Sequence, residues 1–221
     1  MKLQFPFTED KIRSLQVGDQ VEIYGTLFTG RDAVHKYLHE GGKLPISLKD
    51  QIIYHCGPVM IKEKGEWKTI AAGPTTSIRE EPYQAEIIEK FGIRGVIGKG
   101  GMGLKTLQAC QKFGSVYLHA VGGAAQVLAK AIKKVKGVYL LEKFGAPEAI
   151  WEFEVKNFSA IVTMDSHGKS LHEEVLTASK NRLDDLLSSR RFRLYTSRSP
   201  SRSRSRPEPP FLPEKLLAPR F

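Results

Sequence analysis

Residues 94–123, RGVIGKGGMGLKTLQACQKFGSVYLHAVGG, predict a strand, a glycine-rich loop, a helix and a second strand, in that order. The apolar run RGVIG is bounded by glycine, as a short buried strand is. The segment from Met102 to Gly114 has apolar residues at helical spacing and a glycine at its end. SVYLHAV is again an apolar strand, and it stops at Gly122–Gly123. This part of the chain therefore predicts an α/β fold.

The flanking sequence continues this alternation of strands and helices, but irregularly. Residues 21–27 alternate apolar with polar or small side chains, which predicts a half-buried strand. Further strands are predicted at IIYHCGPV, EWKTIAAGP, WEFEVKNF and SAIVTMD, and further helices at RDAVHKYLHEGG, PYQAEIIEKFG, AAQVLAKA and LHEEVLTASKNRLDDLLSS. Because several early strands have no helix between them, we expect a mixed α+β arrangement. It would consist of a mixed sheet with packed helices and would not be an all-parallel doubly wound fold.

The charge of the chain is concentrated at its C-terminal end. The net charge is +10, and residues 190–221 contain nine Lys or Arg and two Glu. Residues 1–189 therefore hold 25 basic and 22 acidic residues, a net charge of only +3. We expect a single folded domain at 1–189 that needs no nucleic-acid partner, and a disordered Arg/Ser/Pro-rich tail at 190–221.

Cysteine usage and the N-terminal sequence restrict the compartment and the cofactor chemistry. The two cysteines, Cys56 and Cys110, are too few for a disulfide framework or for the three or four thiolates that hold an iron–sulfur cluster. Both are expected to be buried apolar residues. MKLQFPFTEDK has no signal-peptide core, and no apolar run is long enough to cross a membrane. The chain is therefore predicted to be cytoplasmic, with no membrane partner.

Three glycine-rich junctions place a cation beside backbone N–H groups at a turn or helix start. They put Arg31 after Gly30, Arg79 after GPTTSI, and Lys99 inside GKGG. Unpaired N–H groups and the helix dipole favour an anion at such positions, and arginine grips a carboxylate through two bonds. Each junction alone is equally explained by a surface turn with a solvated cation. If the three converge, they suit a small substrate with two carboxylates.

The segment GPTTSIR, residues 73–79, also supplies two adjacent hydroxyls, on Thr75 and Thr76. A threonine hydroxyl can bind a carboxylate, or carry a proton if a neighbouring charge activates it. A helix cap would explain one hydroxyl, but neither the second one nor the arginine. His35 and His39 have a spacing that can hold a metal, but no third ligand is compatibly placed, so no metal site is predicted.

The segment VIGKGG has an alternative interpretation. It looks like the GxxG loop of KH domains, which clamps a nucleic-acid backbone. Together with the Ser–Arg tail, it supports an alternative in which the chain is a KH-like RNA-binding protein. The nearly neutral body argues against this alternative, and a KH module would use less than half of that body.

Seven motifs follow one another along the chain: TGRDAVH, HCGPV, AAGPTTSIR, VIGKGGMG, HAVGGAAQVLA, FGAPEAIWEFEVKNF and VTMDSHG. Taken in this order, they resemble the β subunit of class I iron–sulfur fumarate hydratases and of L(+)-tartrate dehydratase. The resemblance covers roughly residues 10–175. The family pattern usually has Met and then an acidic residue after the GPTTSxR arginine, where this chain has Glu80–Glu81.

This resemblance implies a swivelling β/β/α domain that acts as a hydro-lyase subunit. The family's enzymes use a 4Fe–4S cluster held by three cysteines of the other domain or of an α subunit. The implied partner is therefore an α subunit that ligates the cluster. The implied substrate is a C4 dicarboxylate, in the reversible hydration of fumarate to malate or, as the alternative, in the dehydration of tartrate.

A substrate-binding set also follows from the resemblance. Arg31, Arg79 and Lys99 would bind the substrate carboxylates. Thr76 and the backbone of the GKGG loop, at Gly100, would assist them. The motif HAVGGAAQ is more similar to the fumarase branch of the family than to the tartrate branch.

Proton transfer has two candidates by the same resemblance. Thr75 is the first candidate to exchange the proton at the carbon next to the departing hydroxyl. His35, in the RDAVH motif, is the second candidate for proton handling, or else an orienter of Arg31. Asp32 is expected to be a helix-start residue that fixes the loop.

Overall fold

The computed structural model describes residues 1–188, and the tail predicted at 190–221 lies outside them. Residues Met1–Thr177 form one compact unit, and a second unit begins at Ala178, within the last helix. The strands are β1 (Lys2–Gln4), β2 (Gln20–Thr29), β3 (Ile52–Tyr54), β4 (Val59–Glu63), β5 (Glu66–Ala71), β6 (Gly95–Gly98), β7 (Val116–His119), β8 (Ile132–Tyr139) and β9 (Ile150–Met164). The helices are α1 (Glu9–Arg13), α2 (Asp32–His39), α3 (Glu81–Phe91), α4 (Leu104–Phe113), α5 (Ala125–Ala131), α6 (Leu141–Phe144) and α7 (Leu171–Ser188), and a 3₁₀ turn covers Ser77–Glu80.

Seven of these strands form a mixed sheet in the order β1-β2-β3-β6-β7-β9-β8. Strands β1, β2, β3, β6 and β7 pair in parallel, and β9 pairs antiparallel with β7 and β8. Strand β9 also pairs antiparallel with β2, so β2, β3, β6, β7 and β9 close into a ring. Strands β4 and β5 form a separate antiparallel hairpin. The mixed sheet with packed helices, expected from the sequence, is confirmed.

Alternating side chains of the parallel strands divide the interior into two cores. In β3, Ile52 and Tyr54 belong to the first core, whereas Ile53 belongs to the second. This division arises because successive side chains of a strand point to opposite faces. The first core also contains the large side chains of β9, and the second contains the apolar faces of α2, α3 and α4. Each fully buried large apolar side chain stabilises the fold by about 1.5–3 kcal/mol.

Helix α3 begins and ends where its sequence predicts. Pro82 lies in the first turn, where its missing N–H leaves no hydrogen bond unmade. Gly92 follows the helix with a φ of 62°, and its N–H donates to the carbonyl of Ile88. Glycine adopts this left-handed conformation without the steric cost that a Cβ imposes.

Strand β9 differs from the expectation of two separate late strands, because it is one strand of fifteen residues. Its buried side chains alternate up to Val155 and resume at Phe158, one position out of step. The register with β2 shifts at the same place, between Ile23 and Gly25, and Asn157 has a φ of 58°. An inserted residue of this kind is a β-bulge, which interrupts the periodicity without ending the strand.

Several short elements were not predicted from the sequence. They include β1, α1 and α6, and also β4, which pairs with β5 through a turn at Lys64–Gly65 with positive φ at both residues. Their side chains are mostly exposed or the elements are very short, so they leave little hydrophobic periodicity to detect. No helix within residues 1–188 combines the length and the apolar character needed to span a membrane.

Candidate active site

Parallel strands of the ring end at one edge of the sheet, and chemically active residues follow those ends. Strand pairing aligns Thr29 of β2 with Tyr54 of β3, and Tyr54 with Ile97 of β6. The residues that come next along the chain are the Gly30–Arg31 junction, His55 and the Lys99 loop. Ligands of open α/β sheets bind outside the carboxyl ends of the strands, so this edge is the natural position for a site.

The loop that carries Thr75 is inserted between the ends of β3 and β6. The N–H of Thr75 donates to the carbonyl of His55 at 2.8 Å. The N–H of Lys99 then donates to the carbonyl of Thr75 at 3.1 Å, and the N–H of Ser77 donates to the carbonyl of Lys99 at 3.0 Å. Two of the three predicted junctions, GPTTSIR and GKGG, are thus joined by backbone hydrogen bonds.

The third junction is joined to them through Asp32. Asp32 is the first residue of α2, as expected, and its carboxylate forms an ion pair with Arg79. The side chain of Arg31 runs beside Gly57, where a Cβ would collide with the guanidinium. Its Nε lies 3.2 Å from the Glu148 carboxylate, in an ion pair that lacks hydrogen-bond geometry. Arg31 and Arg79 therefore lie close to the same helix start.

Lys99, Gly100 and Thr76 form the outer part of the site. Lys99 is half-buried, whereas Gly100 and Thr76 are exposed. A β-bridge joins Thr76 to Lys99, and the Thr76 methyl group lies 3.8 Å from where a Gly100 Cβ would be. Gly100 and Gly101 have φ values of 82° and 80°, which favour glycine at both positions. The loop backbone is therefore open to a ligand at Gly100.

Thr75 is half-buried, and its hydroxyl donates to the backbone carbonyl of His55 at 3.1 Å. This bond orients the hydroxyl. Because the hydroxyl is the donor in this bond, the bond does not occupy the lone pairs of its oxygen. A backbone carbonyl does not take up a proton, so it cannot turn the hydroxyl into a base. If Thr75 accepts a proton from a substrate, another group must first remove its own.

His35 has no exposed surface, unlike the other predicted site residues. Its Nδ1 lies 2.9 Å from the carbonyl oxygen of Arg31, to which it donates. Burial lowers the pKa of His35 below its ordinary value. The structure thus places His35 beneath Arg31, where it can orient that residue but does not face a ligand outside the strand ends.

Glu80, which ends the 3₁₀ turn, is a buried carboxyl group that the sequence interpretation did not assign to the site. Burial raises its pKa to about 7, although the Arg79 guanidinium opposes the change. One of its carboxyl oxygens lies 3.9 Å from Nδ1 of His35 and has no hydrogen-bond partner within residues 1–188. Glu80 is therefore partly neutral near neutral pH, next to the two arginines.

Further buried polar residues connect the strand ends. His55, Ser77, Gln84 and Tyr117 are fully buried and linked by side-chain hydrogen bonds of 2.8–3.0 Å. The sequence interpretation did not single them out, because their contacts join positions 22–40 residues apart. The motif HCGPV contained the one signal, a histidine directly after an apolar strand.

The two cysteines do not form part of a cluster site. Cys56 lies in the first core and Cys110 in the second, so the sheet separates them. Burial raises the pKa of each thiol to about 12. Within residues 1–188, no three His, Cys, Asp or Glu side chains are grouped closely enough to hold a metal ion. The side chains of this part of the chain therefore do not fit a 4Fe–4S cluster.

Comparisons with known proteins identify the family of the chain and several relatives. Residues 1–175 match the family model described as the fumarase C-terminus. The chain is 62% identical over 182 residues to a Geobacillus stearothermophilus protein with the provisional name fumarate hydratase class I. That match covers 82% of this chain but 35% of the relative, so this chain spans about a third of that protein.

For two other relatives, the match covers most of the relative's own length. One, from Methanocaldococcus jannaschii, is provisionally named L(+)-tartrate dehydratase subunit beta; it is 42% identical over 81% of this chain and 95% of the relative. The other, the L(+)-tartrate dehydratase subunit beta of Escherichia coli, is 37% identical over 78% of this chain and 86% of the relative.

Proposed function

The chain belongs to the fumarase C-terminus family, and from this premise we propose that it is the cluster-free subunit of an iron–sulfur hydro-lyase. The reaction is the reversible hydration of fumarate to malate. The observation that supports the proposal is that the loops carrying Arg31, Arg79 and Lys99 are joined at one edge of the sheet, by the hydrogen bonds of Thr75 and Ser77 with Lys99 and by the Asp32–Arg79 ion pair. Loops with this arrangement of cations and backbone N–H groups bind a small dianion.

In this proposal the three cations bind the carboxylates of a C4 dicarboxylate. Arg31 and Arg79 are held by carboxylates in the free chain, Glu148 and Asp32. The Arg79–Asp32 pair is about half exposed, and exchanging such a pair for a substrate carboxylate costs little. Thr76 and the backbone at Gly100 donate further hydrogen bonds from the exposed side of the loop.

Proton exchange is assigned to Thr75. Thr75 is half-buried and lies between His55 and Lys99, whereas the alternative candidate, His35, is enclosed beneath Arg31. Because the hydroxyl bonds only to a carbonyl within residues 1–188, we assign the group that activates it to the partner subunit. His35 then acts through the Arg31 carbonyl, as an orienter.

A partner α subunit supplies the 4Fe–4S cluster. Neither cysteine of this chain is placed to bind it, and the chain spans only about a third of its fumarate hydratase relative. Two relatives are named as β subunits, which supports a separate partner chain in this proposal. The active site then lies between the strand ends of this chain and the cluster-bearing subunit.

Tartrate is the second candidate substrate, because two relatives of matching length carry the name of a tartrate dehydratase subunit. Tartrate and malate are both hydroxy diacids, so the same cations would bind either. The higher identity to the fumarate hydratase relative favours fumarate and malate.

The test is to co-express the chain with a cysteine-rich α subunit and to assay the complex anaerobically on malate and on tartrate. The isolated chain is expected to be colourless and inactive, and the complex to be active and to lose activity in air. A preparation of this chain alone that binds four irons and hydrates fumarate would contradict the two-subunit proposal. A complex active on neither diacid would contradict the assignment of the reaction.

A further inference from the structure

The carboxamide of Gln84 lies between two buried imidazole rings beneath the candidate active site. The terminal atom that the structure assigns as Oε1 lies 3.0 Å from Nε2 of His35 and 3.0 Å from Nε2 of His55. None of the three side chains has exposed surface, and the two rings meet edge to face with centroids 4.9 Å apart. From its position on α3, Gln84 thus bridges α2 and the residue that follows β3.

Each bridged histidine holds a residue that we assign to the substrate. The ring of His35 donates from Nδ1 to the carbonyl of Arg31 at 2.9 Å. The carbonyl of His55 accepts both the N–H and the hydroxyl of Thr75. The His55 ring is fixed on its other side by Ser77, with Nδ1 at 2.9 Å from Oγ. Gln84 therefore completes a continuous set of hydrogen bonds between Arg31 and Thr75.

The hydrogen bonds decide which end of the carboxamide faces the rings. If the oxygen faced them, both rings would need a proton on Nε2. His35, which already donates from Nδ1, would then be a buried cation. The Glu80 carboxylate, at 3.9 Å, is too distant for a hydrogen bond that would stabilise such a cation.

The reversed carboxamide satisfies every ring nitrogen without a charge. Each of the two N–H groups of the NH₂ donates to one Nε2, and both histidines are neutral Nδ1–H tautomers. The two ends of a carboxamide have nearly the same shape, so the reversal changes no packing. It also agrees with the burial of both rings, which lowers the pKa of His35 and of His55.

We infer that Gln84 is a positioning residue: its NH₂ group donates to Nε2 of both His35 and His55 and thereby keeps Arg31 and Thr75 in register. The inference rests on the proposed function, in which Arg31 binds a carboxylate and Thr75 exchanges a proton. Gln84 itself touches no substrate, because its side chain is fully buried. Its loss therefore affects substrate binding and proton exchange together.

The tautomers are measurable in the full chain without partner or substrate, by correlating ring nitrogens with ring protons in ¹⁵N-histidine-labelled protein. Of the six histidines, two are expected to be neutral Nδ1–H tautomers that keep this form when the pH is lowered to where exposed histidines become protonated. In Gln84→Glu the carboxylate has no proton to donate, so both signals should change. A wild-type spectrum with a doubly protonated buried ring, or with Nε2–H on both buried rings, overturns the inference.

Kinetics of the complex with the α subunit separate positioning from general stability. Gln84→Met keeps the volume of the side chain and removes both donors. It should lower kcat and raise KM, so that kcat/KM falls by about tenfold or more. If Gln84→Met instead keeps the wild-type kcat and KM, Gln84 does not position the site.

The matched control is Asp165→Asn. Asp165 is also fully buried, and its carboxylate accepts from three backbone N–H groups. It follows Met164, which pairs with Tyr117 near the start of β7, away from the strand ends that carry the site. The kcat and KM of the Asp165→Asn complex should remain within about twofold of the wild-type values. Equal losses of kcat/KM in Asp165→Asn and Gln84→Met would contradict the positioning role. A wild-type complex without activity but with the expected tautomers would contradict the proposed function and still support the hydrogen-bond arrangement.

Discussion

Replacing Glu80 by Gln is expected to raise the free energy of unfolding, relative to the wild type, more at pH 8 than at pH 4.5. The Glu80 carboxyl is almost completely buried, and burial raises its pKa from 4.5 to about 7. The groups that face it are Arg79 and Arg31, which favour the ionised form, and Glu148, which opposes it; His35 lies 3.9 Å away. Gln has the shape of the neutral carboxyl and never ionises.

The sign follows from proton binding in the two states. Between pH 4.5 and about 7 the folded chain holds a proton on Glu80 that the unfolded chain has lost. The free energy of unfolding of the wild type therefore falls as the pH rises through this window. At about 1.4 kcal/mol for each pKa unit, the loss amounts to roughly 3 kcal/mol, and Glu80→Gln removes it.

The measurement is chemical denaturation of the wild type and of Glu80→Gln at a series of pH values from about 4 to 8.5. The difference in the free energy of unfolding between them should grow by up to roughly 3 kcal/mol towards high pH and level off above about pH 7. Glu89→Gln, which removes a carboxylate about half exposed on helix α3, is the control. If the curves of Glu80→Gln and wild type are parallel, Glu80 is ionised in the folded chain and the reasoning is wrong.

Four further outcomes are expected. In the reconstituted complex, Arg79→Lys should lower kcat/KM by about tenfold to a hundredfold, because lysine lacks the two-pronged grip, with KM rising at least as much as kcat falls; an unchanged KM would contradict carboxylate binding. Thr75→Val should lower kcat about a hundredfold and abolish exchange of the C3 proton of malate with deuterated water; normal exchange would exclude Thr75. In denaturation experiments, Gly101→Ala should destabilise the chain more than Gly100→Ala, because a Cβ at Gly101 would overlap the His172 ring whereas Gly100 has room for one. The Gly100→Ala substitution should cost about 1 kcal/mol, from the positive φ alone. Equal losses of stability would contradict the contact with His172. Removing residues 190–221 should abolish salt-sensitive RNA binding; sequence-specific binding that persists would favour the KH-like alternative.

The periodic parts of the fold were predictable from sequence, and the irregular parts were not. Helix α3 has a proline at its start and a glycine at its end, and the first four residues of β2 alternate between exposed and buried, so local patterns indicate both. Strand β9 was predicted as two strands, because the bulge at Asn157 shifts the alternation by one residue. Whether a polar residue ends a strand or bulges within it depends on the partner strand, which the local sequence does not contain.

The candidate site divides in the same way. Arg31, Thr75 and Lys99 stand in glycine-rich junctions, so the sequence alone could nominate them as candidates without knowledge of the sheet order. Gln84 lies in the middle of an ordinary amphipathic helix, and its role depends on two histidines 49 and 29 residues away in sequence. Such a contact has no local signature in the sequence.

The loops at the strand ends are joined through main-chain atoms, as the hydrogen bonds among Thr75, Ser77 and Lys99 show. A substitution at the exposed position 76 therefore changes what the loop presents to a ligand without removing a bond that holds the loop. If the proposed function holds, a side-chain change at such a position can alter the preference for one hydroxy diacid over another while the main-chain hydrogen bonds that join the loops stay in place.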